Sequence, residues 1–444
     1  MEGASTKGTA TPINSPQDAP APRLPTEICG RIIDHLAAGL DLFYFALLNE
    51  NPTLLALKSC ALVCRDWYFH TWYHLRQRVC LRDRNDVRSL SRTLRERPRL
   101  WGVVQQVVIS GHTSGQRSPI QHLGTFAATL AGKLPTFWSM TIEDAEWTVG
   151  SIRMEDVGYL ATFHLLRTLY ISRVTVPSIG QLARLISALP GLEGLICVNV
   201  DCSQKHPNSP VSLPLNSASL EALGARWVAP AVEDLLVRIS QISRLRWLNV
   251  GVEGDLNLSP TVSRRQALLD ASAASVEVLQ LYMGGPRSGS CMNSDTVDST
   301  VGRHYNLSRY ESLWQLQIFL YHPFAEWSSI PHIVSRILPK HLLAMSIMLF
   351  ITADHAADDF DGAMMMMEED GTLVQLDDTL QAECFTNIEP GGICLGFDTV
   401  QNWRPSYKLF GSESSFGERC CRWDELVKRK MPQCNGRGIL TYVV

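Results

Sequence analysis

By residue type, Cys60, Cys64, His70 and His74 come closest to a chemical site in this 444-residue chain. Two thiols and two imidazoles are donors that structural zinc accepts. Their spacing argues against such a site. Residues 60–74 read as one continuous helix, about 21 Å long at 1.5 Å per residue, whereas zinc holds every ligand within roughly 2.0–2.3 Å. His70 and His74, one turn apart, make a two-ligand pair at most, and no glutamate adjoins either as a metalloprotease helix requires. A calcium loop around Gly362 fails on register, because Ala357 stands where an acid is needed. There is no G-x-S-x-G, no phosphate-cradling glycine loop and no H-E-x-x-H. The residues predict no catalytic site, no metal and no cofactor.

Two charge concentrations remain. Nine arginines crowd residues 76–99 against Asp83, Asp86 and Glu96. They fall on a first strand at Val79–Leu81 and a helix from Asp86 to Arg97, and read as a solvated helix face. The aromatic interleaving that base stacking wants is missing, so nucleic acid is not the expected partner. Residues 354–378 hold nine acids, no Lys or Arg, and four consecutive methionines. They read as a solvated, disordered insertion whose methionines offer an adaptable surface.

The chain carries a net charge of −4 and is 45% hydrophobic, enough to bury one large core or two modest ones. Its twelve cysteines form no C-x-x-C pair and sit in apolar runs, as expected of reduced thiols in a cytoplasmic or nuclear protein. Residues 1–22 lack an apolar segment and read as a disordered tail. The longest apolar run, 342–353, falls short of the roughly 20 residues a membrane span needs, so no membrane association is expected.

Residue 23 opens an amphipathic module that extends to residue 75. Pro25 suits a first helical turn and Glu27 its positive end. Ile28, Ile32 and Leu36 recur every four residues, and Leu57, Cys60, Ala61, Cys64 and Trp67 repeat the stripe. Leu62 and Val63 lie off it, so the second helix is apolar on two sides and needs two things to pack against. The order Leu-Pro-x-Glu-Ile, Ile-Ile-x-x-Leu, then "CALVCRDW" resembles the F-box over residues 24–68, in the version common in fungal F-box proteins. That resemblance implies a small helical module docking a Skp-type adaptor and, through it, a cullin. The implied contacts are Leu24, Pro25, Ile28, Ile32 and Leu36, joined by Leu57, Leu62, Val63, Cys64 and Trp67. One departure is an apolar insert, residues 37–56, where the family has a short link. A hairpin buried in the chain's own core is the competing reading.

Beyond residue 76 a triad of apolar residues, spaced three and then two apart, recurs nine times from Val104-Val107-Ile109 to Leu342-Met345-Ile347. Successive copies lie about 25 to 37 residues apart, near a leucine-rich-repeat period with insertions. Helical text at 179–190, 232–243 and 330–339 leads into the next triad. The expected fold class is therefore α+β: a small all-α module, then an irregular α/β leucine-rich-repeat-like solenoid over 76–410. Loops are expected at 284–309 and 354–378, with a capping helix and strand over 411–444. Residues between the triad positions would line the open face of the sheet: Thr168, Tyr170, Trp247, Asn249, Gln280, Tyr282, Gln315, Gln317 and Phe319. Aromatics beside amides suit recognition of an unidentified target protein. With the F-box resemblance, the expectation is the substrate-recognition subunit of a Skp-cullin-F-box ubiquitin ligase, itself non-catalytic. The alternative is an interaction scaffold that degrades nothing.

Overall fold

The computed structural model describes residues 25–38, 52–111, 117–148, 153–204, 212–252, 260–283, 305–321, 327, 329–337, 342–351, 356–399 and 413–443. The expected tail and Leu24 lie outside these residues, as do the middle of the insert and most of the 284–309 loop.

Three helices open the chain: α1 (Thr26–Ala38), α2 (Pro52–Cys60) and α3 (Arg65–Gln77). Pro25 accepts the first helical bonds through its carbonyl, from Ile28 and Cys29 N–H at 3.0 and 3.1 Å. Ile33 and Leu57 form the module's own small core, flanked by Leu36, Ala37, Leu54, Cys60, Trp67 and Leu75. The expected continuous helix over 60–74 is broken. After Cys60 the chain turns through Ala61–Val63, and Cys64 takes an extended conformation (φ −159°, ψ 173°) as the N-cap of α3. The apolar periodicity runs through this break because both helices face one core.

No loop separates the module from the sheet. Arg78, the C-cap of α3, is already extended and begins β1 (Arg78–Leu81). Trp72 of α3 packs against the large downstream core, and the Arg76 guanidinium lies 5.2 Å from its ring centroid. Helix α4 (Arg84–Glu96) comes next. The Asp83 carboxylate caps it by accepting the Asp86 N–H at 2.8 Å. Val87, Leu90 and Leu94 point inward, and Arg88, Arg92 and Arg95 face solvent, as expected for an amphipathic surface helix.

The remaining strands are β2 (Gln106–Ser110), β3 (Ser118–Pro119), β4 (Ser139–Glu146), β5 (Thr168–Val176), β6 (Gly194–Val198), β7 (Asp201–Cys202), β8 (Ala222–Arg226), β9 (Trp247–Val252), β10 (Val278–Met283), β11 (Gln315–Tyr321), β12 (Ala344–Ile351), β13 (Ile393–Thr399) and β14 (Leu440–Val443). With β1 they form one parallel sheet in which twelve strands lie side by side in chain order. β3 and β7 pair only at its margin, on β4 and β5. The register lines up the second triad residues: Val107, Met140, Leu169, Leu195, Leu223, Leu248, Leu279, Leu316 and Met345 are consecutive partners. Every triad residue belongs to one continuous core. The triad series stops at β12, yet Ile393 and Leu395 of β13 continue the same columns.

Helices α5 (His122–Leu130), α6 (Met154–Leu160), α7 (Ile179–Ser187), α8 (Pro230–Ser240), α9 (Pro260–Ser272) and α10 (Ser329–Ser335) fill the connections. Neighbours such as α4–α5, α5–α6 and α8–α9 touch. Packed helices need about 8–10 Å each and strands only about 4.8 Å, a mismatch that favours curvature with the sheet on the inner side.

The acidic stretch 354–378 differs from expectation. It is helical: α11 (Ala356–Glu369) and α12 (Thr372–Thr379). Phe360, Ala363, Met364 and Met367 form a buried stripe, while Met365 and Met366 are exposed. Glu368, Glu369, Asp370 and Asp378 are exposed, and α13 (Glu413–Lys430) pairs with two acids of α11: Arg422 with Asp361, and Arg429 with Glu368. Helix α14 (Pro432–Gly436) is pinned by Asp377, whose carboxylate accepts the Gln433 and Cys434 N–H groups at 3.0 and 2.8 Å. Burial of the methionine stripe overrides the disorder that the acidic composition suggests.

Because each triad is shared with its neighbours, truncation in mid-ladder is costly. Leu195→Ala, at a fully buried site, is expected to destabilise the chain by about 3 kcal/mol. Glu221→Ala, at an exposed position between strands, is expected to cost less than about 0.5 kcal/mol. Urea unfolding of the two variants checks the contrast.

Candidate functional site

Two surfaces could carry function. The first is the outer side of the helical module. Among the described residues, eight of the seventeen exposed large apolar side chains fall between Ile28 and Tyr73. On α1, Cys29 and Ile33 turn inward, whereas Ile28 (41% exposed) and Ile32 (39%) turn out. In the α2–α3 turn Leu62 is 87% and Val63 63% exposed. Pro25 and Cys64 are exposed beside them in sequence.

The expected adaptor contacts therefore divide. Pro25, Ile28, Ile32, Leu62, Val63 and Cys64 are accessible. Leu57 is fully buried, and Leu36 and Trp67 pack on the same small core. Leu57 offers a partner nothing, while Leu36 and Trp67 hold the helices together and keep half-buried surface. Leu24 is not among the described residues. The side of α1 and α3 away from this core carries a polar tie: Asp34 Oδ1 lies 2.9 Å from His70 Nε2 and 2.8 Å from His74 Nε2. These hydrogen bonds hold the Asp34 carboxyl below its usual range.

The second surface is the inner face of the sheet. Its side chains stand between the core columns. Asn249 donates from Nδ2 to Gln280 Oε1 at 3.1 Å, and Gln280 from Nε2 to Gln317 Oε1 at 2.6 Å, an amide ladder across three strands. Beside it, Tyr282 and Phe319 stack with ring centroids 4.4 Å apart, and Phe350 continues the row at 5.6 Å. Tyr170, Ile196 and Val198 form a separate apolar cluster with Trp227 and Trp247.

Arg226 joins these groups, and the sequence reading missed it. Its guanidinium carbon sits 4.3 Å from the Tyr282 centroid, and Nη2 donates to the Tyr170 hydroxyl at 3.3 Å. Gly251 lies between Arg226 and Tyr282 and makes the reach possible. A Cβ there would stand 3.0 Å from the Arg226 Cα.

Burial corrects part of the expected target contacts. Tyr170, Asn249 and Tyr282 are buried, because bulky neighbours on strands about 4.8 Å apart cover one another. Thr168, Trp247, Gln280, Gln315, Gln317 and Phe319 stay half-buried and available.

The chain adopts a left-handed conformation at Asp144 within β4, at Arg173 within β5, and at Asn199 and Trp227 just after β6 and β8 (φ 49° to 53°). Asn and Asp tolerate this region and other side chains rarely do. The Asp144 carboxylate accepts a bidentate pair from Arg173, Nε at 2.5 Å and Nη2 at 2.7 Å. Arg117 ties the next strands together by donating to Thr175 Oγ1 at 2.6 Å and Asn199 Oδ1 at 3.3 Å, and by pairing with Asp201. Neighbouring Glu143 is buried beside Asp144. Burial first, then that like charge, pushes its carboxyl up to about 7.

No protein-family model matches the chain, and no curated protein sequence matches it. Solved structures with a related chain path include the leucine-rich repeat-containing protein LegL7 from Legionella pneumophila. It is 12% identical, with 75% of this chain and 92% of that chain covered and a TM-score of 0.34. Another is TLR13 in a TLR13–ssRNA13 complex, 13% identical, covering 67% of this chain and 35% of that one, with a TM-score of 0.31. The present chain is classed as a leucine-rich-repeat-like solenoid behind a three-helix module on its own strand ladder. Among the described residues, no helix is long and apolar enough to cross a membrane.

Glu143 supplies a pH test of the inner face. Its folded pKa is raised, so the folded state binds the proton more tightly, and that stabilisation is complete below pH 4.5 and lost as pH rises through about 7. Between pH 5 and 8 the natural chain is expected to lose about 2–3 kcal/mol relative to Glu143→Gln. Denaturant midpoints at several pH values read the difference.

Proposed function

We propose that the chain is a non-catalytic substrate receptor of a Skp-cullin-F-box ubiquitin ligase. In this reading the helical module docks a Skp-type adaptor, and through it a cullin, while the inner face of the sheet holds a target protein. The observation that carries the reading is the outward apolar set Ile28, Ile32, Leu62 and Val63 on a module whose opposite stripe already has its own core. Exposed apolar residues grouped in this way mark interaction surfaces. The order of residues resembling the F-box coincides with that set.

The inner face suits a folded partner or a peptide. Half-buried Trp247, Phe319 and the glutamine ladder offer aromatic area and amide hydrogen bonds. All covalent chemistry would belong to other subunits, and the receptor would contribute proximity. Such a complex operates in the cytoplasm or nucleus.

Ile28→Asp with Ile32→Asp changes exposed residues only, so the melting profile is expected to hold while capture of a Skp-type adaptor falls at least about tenfold. Leu57→Ala is expected instead to unfold the module. Cys64, exposed in the same turn, gives an independent footprint: bound adaptor slows its alkylation and leaves exposed Cys421 unaffected. Undiminished capture by the double variant, or unchanged Cys64 reactivity, defeats the docking assignment. Capture without a change in the half-life of any co-purified partner assigns a scaffold that does not direct degradation.

A further inference from the structure

We infer that Asp34, His70 and His74 form a binding site for a divalent transition-metal ion, of which zinc is the natural probe, clamping α1 to α3. None of the three residues is among the expected adaptor contacts. The three candidate ligand atoms, Asp34 Oδ1 and the Nε2 atoms of both histidines, all lie within 4.8 Å of one another. His70 and His74 are one helical turn apart on α3, and the carboxylate is supplied by a second helix.

The distances suit an ion with little rearrangement. Zinc bonds of about 2.0–2.2 Å in a tetrahedron place neighbouring ligand atoms roughly 3.3 Å apart. The two carboxylate–imidazole contacts at 2.9 and 2.8 Å need to open by only about 0.5 Å, and side-chain rotation brings the imidazoles together. Two imidazoles and a carboxylate favour zinc, nickel or copper over magnesium or calcium, which take oxygen ligands.

An outer contact is already in place. His74 Nδ1 lies 3.4 Å from Gln77 Oε1. Donation from Nδ1–H to that oxygen selects the tautomer whose Nε2 carries the lone pair a metal needs. Asp34 and His70 retain substantial exposure while His74 is largely covered, so an ion can enter from solvent and keep water in a fourth position. The sequence reading reached the histidine pair and stopped there, because the third donor comes from 36 residues upstream of His70 and only the helix packing brings it in.

Calorimetry on the full chain, stripped with chelator and titrated with zinc near neutral pH, tests the site. One equivalent is expected to bind and to raise the melting temperature. Asp34→Asn and His74→Ala should each weaken binding at least about tenfold, and His164→Ala, at an exposed histidine elsewhere, should leave it unchanged. Acidification to pH 5 should release the ion as protons compete for the imidazoles. No heat and no thermal shift at micromolar zinc overturns the inference. So does one equivalent that persists in both ligand variants, which would place the ion elsewhere.

Discussion

The structure depends on shared burial along a one-dimensional stack. No single strand-and-helix unit can cover its own apolar residues, and each is completed by the units on either side. Parallel pairing in chain order brings the second and third residues of every triad into continuous columns. The first residue of each triad, just before its strand, belongs to the same core. Stability in such a stack is approximately a sum over units and nearest-neighbour interfaces. The end units therefore need cover of a different kind. At the far end α13 and α14 provide it, and at the near end α3 does so through Trp72.

The inward columns were legible in the sequence because their period is local. Three residues, spaced three and two apart, report burial whatever the neighbouring unit does. The outward columns were less legible because cover there comes across strands. Tyr170, Asn249 and Tyr282 read as available contacts, yet each is hidden by residues 26 to 56 positions away, such as Ile196 and Arg226. Nor does one strand disclose that Gly251 yields space for the Arg226 side chain. That role exists only once β8, β9 and β10 lie side by side.

Two other departures have opposite origins. At Cys64 the periodicity was too persuasive: both helices turn the same kind of stripe to one small core, so the break between them leaves no gap in the pattern. At 354–378 composition concealed periodicity. Nine acids argued for solvation, although Phe360, Ala363, Met364 and Met367 already follow helical spacing. Once those residues are buried, Asp361 and Glu368 become partners for Arg422 and Arg429 rather than part of a repulsive cloud. The candidate docking residues were legible as a set, but sorting Ile28 and Ile32 from Leu57 required the packing of α1 against α2 and α3.

The direct passage from α3 into β1 has a mechanical consequence. With Gln77 helical and Arg78 already in the sheet, the spacing between module and inner face is written into the backbone as on a ruler. A ligand gripping both ends would lose little orientational freedom at its second attachment, since no tether must be reeled in. A ligand whose two footholds are spaced differently would have to strain its own frame or release one of them.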